Sequence, residues 1–523
     1  MSSVKLDKYQ RAVVSFVEDN DQGNASAIAV AGAGKTTTLL AAANAVPKST
    51  LGYAVVFNRK NANELRARFP HNIACGTFHS FWVRACRKAL GNVTVDGGKI
   101  DLLITRVLPI QPPRSNGEWG GAPRTQRQQV QPLYRQYVQP VKKLVGYARA
   151  IGVGLLVDDV YATWREMLDY LDIDIDTSVN VEQLVKFAQQ LLALSNATLD
   201  MIDFDDMLYL PLINGWGIER RPFVFIDEAQ DTNAVQRALI ARMLSPKGRA
   251  LFVGDPHQAI YGFRGATSNA MDVIEEQFQT KTLPLTVSYR CPRAVVEYSR
   301  QYVDHIRAHA SAPEGEVKHV RSDALPRELM TSSTAIVCRL TAPLVQFAVK
   351  LLAERIPARV LGRDVGASLV SLINAHRVGI PDSLVALLDN LETWRDREVA
   401  KFQAKFQDDK AQSCIDRYEA IEALISFVPI GTSIDGLIRE IQFLFVDNED
   451  NAVVCATVHK AKGLEWENVI IIRPDKMPLP FVKSGTWQYE QELNIAYVAA
   501  TRAKQTLIIA DGETVGLEPK RIS

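Results

Sequence analysis

Apolar runs of four or five residues alternate along this chain with stretches of helical period. Residues 27–30, 53–57, 223–226 and 250–253 read as strands buried on both faces, and 36–45 and 61–68 read as helices between them. Such alternation predicts an α/β fold built on a parallel, doubly wound sheet. The rhythm returns from about Thr282, with strand-like runs at 335–338, 453–456, 469–472 and 506–510. Each block is interrupted by sequence of helical character, including 181–194 in the first and 396–408 in the second. The expected organisation is a first α/β domain of residues 1–90 and 199–278 with a helical insertion at 91–198. A second α/β domain of residues 279–370 and 446–523 carries a short helical insertion at 371–445. Two such blocks are expected to leave a cleft between them.

Composition adjusts this picture only at the margins. A length of 523 residues predicts three or four domains, and a hydrophobic content of 47% is ample for their cores. The net charge of +1 gives no global signature of a nucleic-acid partner, although a narrow groove needs only local positive charge. Six cysteines are scattered with no CxxC pair, which argues against a structural zinc or iron–sulfur site and fits a reducing compartment. The N-terminus lacks the pattern of a signal segment and no apolar run reaches spanning length, so a cytoplasmic protein without a membrane partner is expected. Within the first insertion, residues 110–123 are rich in Pro and Gly and read as a loop. Residues 119–157 carry six Lys or Arg and no acid, interleaved with Tyr134, Tyr137 and Tyr147. They form either a nucleic-acid surface or an ordinary solvated helical face.

The candidate chemistry lies at two strand ends. Ala29-Val30-Ala31-Gly32-Ala33-Gly34-Lys35-Thr36 links a strand to a helix through a glycine-rich turn. Such a turn aims backbone N–H groups at phosphate oxygens, and the helix N-terminus favours their charge. Ala31, Gly32, Ala33, Gly34, Lys35, Thr36 and Thr37 would cradle a nucleotide, with Lys35 on the β/γ-phosphates and Thr36 on Mg²⁺. Ala29 stands where a first glycine is usual. Asp227-Glu228-Ala229-Gln230-Asp231 follows the strand at 223–226, at the end where open α/β sheets bind ligands. One carboxylate can hold Mg²⁺ and the other can polarise water. Together these features predict an ATP- or GTP-hydrolysing P-loop protein. Arg290 and Arg502, in the second block, are candidate arginine fingers, a device worth about 10³–10⁵ in rate in GTPases.

The motifs, in order, resemble those of the superfamily 1A DNA helicases, the UvrD/Rep/PcrA family, most closely its small phage-type and F-box-helicase-like members. They are Leu6-Asp7-Lys8-Tyr9-Gln10, the phosphate loop, Phe57-Asn58-Arg59-Lys60, Gly76-Thr77-Phe78-His79-Ser80, Ile202-Asp203-Phe204-Asp205-Asp206 and the Asp227 run. Further on come Val253-Gly254-Asp255-Pro256-His257-Gln258 continuing to Ala266, Tyr289-Arg290, Thr457-Val458-His459-Lys460 continuing to Trp466, and the Arg502 run. The resemblance implies two RecA-like doubly wound parallel-sheet domains and an ATP- and Mg²⁺-dependent DNA helicase moving 3′→5′ on single strands.

By the same resemblance, Gln10 would read the adenine edge, Tyr289 would stack on the base and Glu465 would contact the ribose. Asp227 and Thr36 would hold Mg²⁺, Glu228 would activate water, Gln258 would sense the γ-phosphate, and Arg290 and Arg502 would be fingers. Phe57, Asn58, Thr77, His79, Tyr261, Phe263, Arg264 and His459 would line the DNA path, where stacking is worth about 1–3 kcal/mol per base. Core packing is the plainer alternative for Phe57, Tyr261 and Phe263, and Phe263 replaces a Trp common in the family. Asp203, Asp205 and Asp206 are expected to be structural. The implied partners are single-stranded DNA and its junctions with duplex, with a nuclease or a replication or recombination factor as a possible protein partner; a monomer is expected. The second insertion, about 75 residues, is short for the family. That motivates the alternative of an ATP-gated translocase or sensor that displaces proteins or recruits a nuclease with little unwinding.

Overall fold

The computed structural model describes residues 5–19, 23–57, 59–108, 124–171, 173, 179–260, 269–377, 379, 382–404, 407–447, 451–513 and 515–517, with the side chains of 59–60 and 124–135 outside the description. Asn58, Tyr261, Phe263, Arg264, the 110–123 segment and the Tyr134 side chain therefore lie outside the described residues. The chain divides into two compact units: residues 1–29 with 35–285, and residues 30–34 with 286–523.

The first unit holds a six-stranded, all-parallel sheet. Its strands are β1 (Asn24–Ala29), β2 (Gly52–Val55), β3 (Ile73–Gly76), β4 (Arg221–Ile226), β5 (Leu244–Gly254) and β6 (Thr280–Leu285), in the order β3-β2-β4-β5-β1-β6. Ala25, Ala27, Val224, Phe225, Ile226, Phe252 and Val253 are wholly or almost wholly buried, the signature of a sheet covered on both faces. The order brings β4, β5 and β1 side by side, so their C-terminal ends share one edge. Strand β6 was assigned by sequence to the second block, and the structure corrects this. Thr280–Leu285 pairs with β1 over its whole length, from Asn24↔Thr280 to Ala29↔Leu285, and turns Leu283 and Leu285 inward. As an edge strand it tolerates Pro284.

The first insertion is helical, with Lys99–Val107, Arg124–Ile151, Tyr161–Tyr170 and Val181–Ala197. It closes a core of its own around Leu103, Leu144, Trp164, Leu184 and Leu191. Four charged side chains tie this bundle to the segment before Met207. Lys99, fully buried, donates to Asp206 at 2.6 Å and to the carbonyls of Ser195 and Thr198. Arg149, 2% exposed, donates to Asp203 at 2.8 Å and to the Ser195 hydroxyl. The Asp206 N–H closes the turn on Asp203 at 2.8 Å. Asp203 and Asp206 are structural, as expected. Arg149, read as part of a basic surface, is internal instead. Tyr137 is buried in the bundle core and Tyr147 stacks on Tyr170 at 5.4 Å. Lys142 pairs with Asp101 at 2.5 Å. Helix packing thus uses much of the stretch in which the sequence left a nucleic-acid surface open.

The second unit holds a seven-stranded parallel sheet of β7 (Glu316–Arg321), β8 (Thr334–Cys338), β9 (Ala358–Leu361), β10 (Phe445–Val446), β11 (Val453–Thr457), β12 (Trp466–Ile472) and β13 (Ala503–Asp511). The order is β7-β13-β12-β8-β11-β9-β10. Helices Arg363–His376, Leu384–Gln403, Asp408–Phe427 and Ile434–Leu444 make up the second insertion and its approach. The first of these begins before 371, and the helix expected to run through 396–408 ends at Gln403. Among the described residues these helices close only a small cluster of their own, Phe402, Ala411 and Cys414, and share their larger core with the sheet. Leu387, Leu391, Ile421, Leu424, Leu437 and Ile441 belong to one cluster with Ile336, Val360, Cys455 and Ile470 of the sheet.

Candidate active site

Three strand ends of the first sheet, those of β1, β4 and β5, carry the candidate residues; the turn 30–34 after β1 is grouped with the second unit. After β1 the chain turns at Gly32 and Gly34, which have φ of 71° and 74°, a left-handed conformation that glycine adopts without strain. Lys35 and Thr36 then open the helix Lys35–Ala45, whose unpaired N–H groups and dipole suit a phosphate. After β4, the Asp227 N–H is held by the Val55 carbonyl at 2.9 Å, which extends the ladder by one residue and fixes where the acid pair emerges. Glu228 follows with φ 51° and ψ 46°, left-handed and costly for a residue with a Cβ. This bend turns its carboxylate toward Lys35, whose Nζ is 3.3 Å from Glu228 Oε2. After β5, Asp255 is fully buried; its Oδ1 accepts the His257 N–H and its Oδ2 accepts Gln258 Nε2 at 2.7 Å.

The electrostatics of the acid pair follow from burial. Asp227 is 6% exposed, and desolvation, then the neighbouring Glu228 charge, push its carboxyl up to about 7, with Lys35 opposing. Burial also raises the Asp255 carboxyl. The ionised Asp227 carboxylate and the Thr36 hydroxyl at the helix start are the hard oxygen donors that Mg²⁺ prefers. Among the described residues no group of three or more His, Cys, Asp or Glu forms a metal cage. Mg²⁺ in nucleotide sites is typically held by one or two protein oxygens together with phosphates and water, so this donor set fits.

The other expected residues of the first unit are placed as follows. Gln10 is buried and accepts the Asp7 N–H at 3.2 Å in the capping box of the helix Lys8–Glu18. Phe57, just past β2, is 42% exposed, so its ring is not a core residue. Thr77 caps the helix Phe78–Leu90 by accepting the Ser80 N–H at 3.2 Å. His79 lies edge-on to Phe204 at 6.2 Å, and burial lowers its pKa, which keeps the ring neutral at pH 7.

In the second unit, Tyr289 is 39% exposed and stacks on His309, with centroids 4.7 Å apart. Arg290 Nε pairs with Glu465 at 2.5 Å, so two residues expected at the nucleotide meet each other. Arg502 is 1% exposed and donates to the carbonyls of Val498 and Leu464 and to the Thr501 hydroxyl. A cation there neutralises the C-terminal end of the helix Trp487–Ala500. His459 lies in the short helix Val458–Ala461, next to Lys460, which pairs with Asp364 at 2.6 Å. Sequence reasoning gave no role to Gln230, Asp255 or His309. A lone polar residue carries no signal until the fold shows what it touches.

A parallel sheet ending in a glycine-rich turn with Lys35 and an acid pair, followed by a second parallel sheet, defines the P-loop class with two RecA-like domains. The UvrD/REP helicase N-terminal domain profile matches residues 6–279, and the UvrD-like helicase C-terminal domain profile matches residues 360–513. The chain belongs to the UvrD/REP helicase family. It is 25% identical to F-box DNA helicase protein 1 of Schizosaccharomyces pombe over 521 residues, covering 92% of this chain and 55% of that protein. It is 22% identical to DNA helicase II of Rickettsia typhi, covering 93% of this chain and 89% of that protein. With ATP-dependent DNA helicase PcrA of Staphylococcus epidermidis it shares 23% identity, over 60% of this chain and 59% of that one. The chain spans about half the length of the F-box helicases it matches. Among the described residues, no helix is long and apolar enough to cross a membrane.

Proposed function

We propose that this protein is an ATP-driven motor that moves 3′→5′ on single-stranded DNA and unwinds duplex. The observation that carries the reading is the convergence of Lys35, Asp227, Glu228 and Gln258 at the ends of three adjacent strands, with Lys35 Nζ 3.3 Å from Glu228 Oε2. Family membership supplies the substrate class.

In this reading the phosphate loop and the helix start at Lys35 bind the triphosphate, and Lys35 places a positive charge on the transferring group. Asp227 and Thr36 would hold Mg²⁺, which would supply positive charge to offset that of the phosphates. Glu228 accepts a proton from the attacking water, and its fixed left-handed backbone limits where that water can stand. Gln258 senses the γ-phosphate. Within the second unit, Tyr289, Arg290, Glu465 and Arg502 are the residues assigned to nucleotide recognition. Phe57, exposed at a strand end, offers a sequence-tolerant stacking face to a DNA base. A 3′-tailed and a 5′-tailed partial duplex, assayed with ATP, test the reading. Unwinding of the 3′-tailed substrate is expected, and unwinding of the 5′-tailed one alone contradicts the polarity.

The second insertion favours one alternative. Its helices share the core of the sheet, which makes it a less independent body for gripping duplex. A translocase that displaces proteins or recruits a nuclease would show ATP-driven movement on single strands with little strand separation. Translocation and fork-unwinding assays run side by side separate the two.

A further inference from the structure

Gln230 is fully buried between the two loops of the site. Its Nε2 donates to Glu228 Oε2 at 2.6 Å and lies 3.4 Å from Asp231 Oδ2. Its Oε1 accepts the Asp255 N–H at 3.0 Å. The amide can point only one way. A backbone N–H requires the oxygen, and a carboxylate requires the NH₂ group. Among side chains of this length, only the amide offers both an acceptor and a donor without taking up a proton. The approach is close enough to constrain the backbone opposite: a Cβ on Gly254 would stand 2.7 Å from Gln230 Oε1. Beyond Asp255 the path continues, since its Oδ2 accepts Gln258 Nε2 at 2.7 Å. Glu228, Gln230, Asp255 and Gln258 thus form one chain of hydrogen bonds inside the first unit.

We propose that Gln230 is a positioning residue that holds the Glu228 carboxylate in register with the Asp255–Gln258 segment. A displacement of Gln258 then reaches Glu228 through Asp255 and Gln230. The proposal rests on the reading of Glu228 as the group that activates water. It assigns Gln230 no contact with the nucleotide, so its loss should act on turnover and not on binding.

Gln230→Glu is the sharp test. It keeps the length and the acceptor for the Asp255 N–H, and it replaces the amide donor facing Glu228 with a carboxyl that can donate only by taking up a proton. The full-length variant is assayed for kcat and KM for ATP at saturating single-stranded DNA, for affinity toward a fluorescent ATP analogue, and for its thermal midpoint. The expected result is kcat lowered at least about tenfold, with KM and analogue affinity within about threefold of the parent. Gln230→Met, which removes both hydrogen bonds without opposing two carboxylates, should show the same kcat-only loss and serves if Gln230→Glu does not fold. Combining either change with Gln258→Ala should cost no more than the worse single change, because both interrupt one path. Unchanged kcat, a loss confined to KM, or additive losses would overturn the relay. Glu228→Gln is run beside them. Full turnover in that variant overturns the base assignment itself, whereas its loss alongside normal turnover in Gln230→Glu overturns the relay alone.

Discussion

The two helical insertions are built on different principles. The first closes its own core around Trp164 and Leu144 and meets the rest of its unit through the buried charges of Lys99, Arg149, Asp203 and Asp206 and through Tyr209. The second has no comparable core, and its leucines and isoleucines pack directly on the sheet through Ile336 and Ile470. Charge pairing is directional and apolar packing is not. The first insertion is therefore oriented largely by a small set of directional contacts, while the second is fused to its sheet over a broad face. A body held by a few directional contacts can be loosened by one substitution. A fused one cannot be loosened without harming the sheet.

The largest effect should come from breaking the charged junction. Arg149→Ala leaves Asp203 and Asp206 buried with only Lys99 against them, and is expected to cost about 3–5 kcal/mol. Denaturant unfolding should show this loss in the first unit, with second-unit amide protection unchanged. Core truncations come next, at about 2–5 kcal/mol each. Leu424→Ala should speed hydrogen exchange in β8 and β11, whereas Leu144→Ala should leave the exchange of β4 and β5 near normal. Equal spread in both cases would erase the contrast between the insertions. Phe57→Ala, away from either insertion, should weaken single-stranded DNA binding by about 1–3 kcal/mol without altering stability.

The smallest effect is a pH dependence. The Asp227 carboxyl is raised to about 7 in the folded protein, so protonation favours the folded state. Its contribution is present in full below about pH 4 and is lost as pH rises through about 7. Without nucleotide, the thermal midpoint should rise between pH 8 and pH 6, and Asp227→Asn should flatten that slope. A slope unchanged in Asp227→Asn would assign it to other groups.

Much of the site was legible in the sequence because its residues are local. A glycine-rich turn after an apolar run, and two acids after another, are each read within one short segment, and both emerged at strand ends. Edge strands were less legible. Glu316–Arg321 presents a mostly exposed, polar pattern that no buried-strand reading detects. Thr280–Leu285 was assigned to the wrong sheet because its partner, β1, lies far earlier in the chain. Arg149 read as surface because the carboxylate that buries it, Asp203, is 54 residues away. Gln230 was visible as a letter and mute as chemistry until β4 and β5 brought Glu228 and Asp255 to its two ends.

The central claim is that Glu228, held by Lys35 and Gln230, drives ATP hydrolysis tied to DNA. Steady-state ATPase measured with and without single-stranded DNA, for the parent and for Glu228→Gln, tests it most directly. The account predicts a parent rate that rises on adding DNA and a Glu228→Gln rate near background in both conditions, with ATP binding retained. Near-normal turnover in Glu228→Gln, or a parent rate indifferent to DNA, would contradict it.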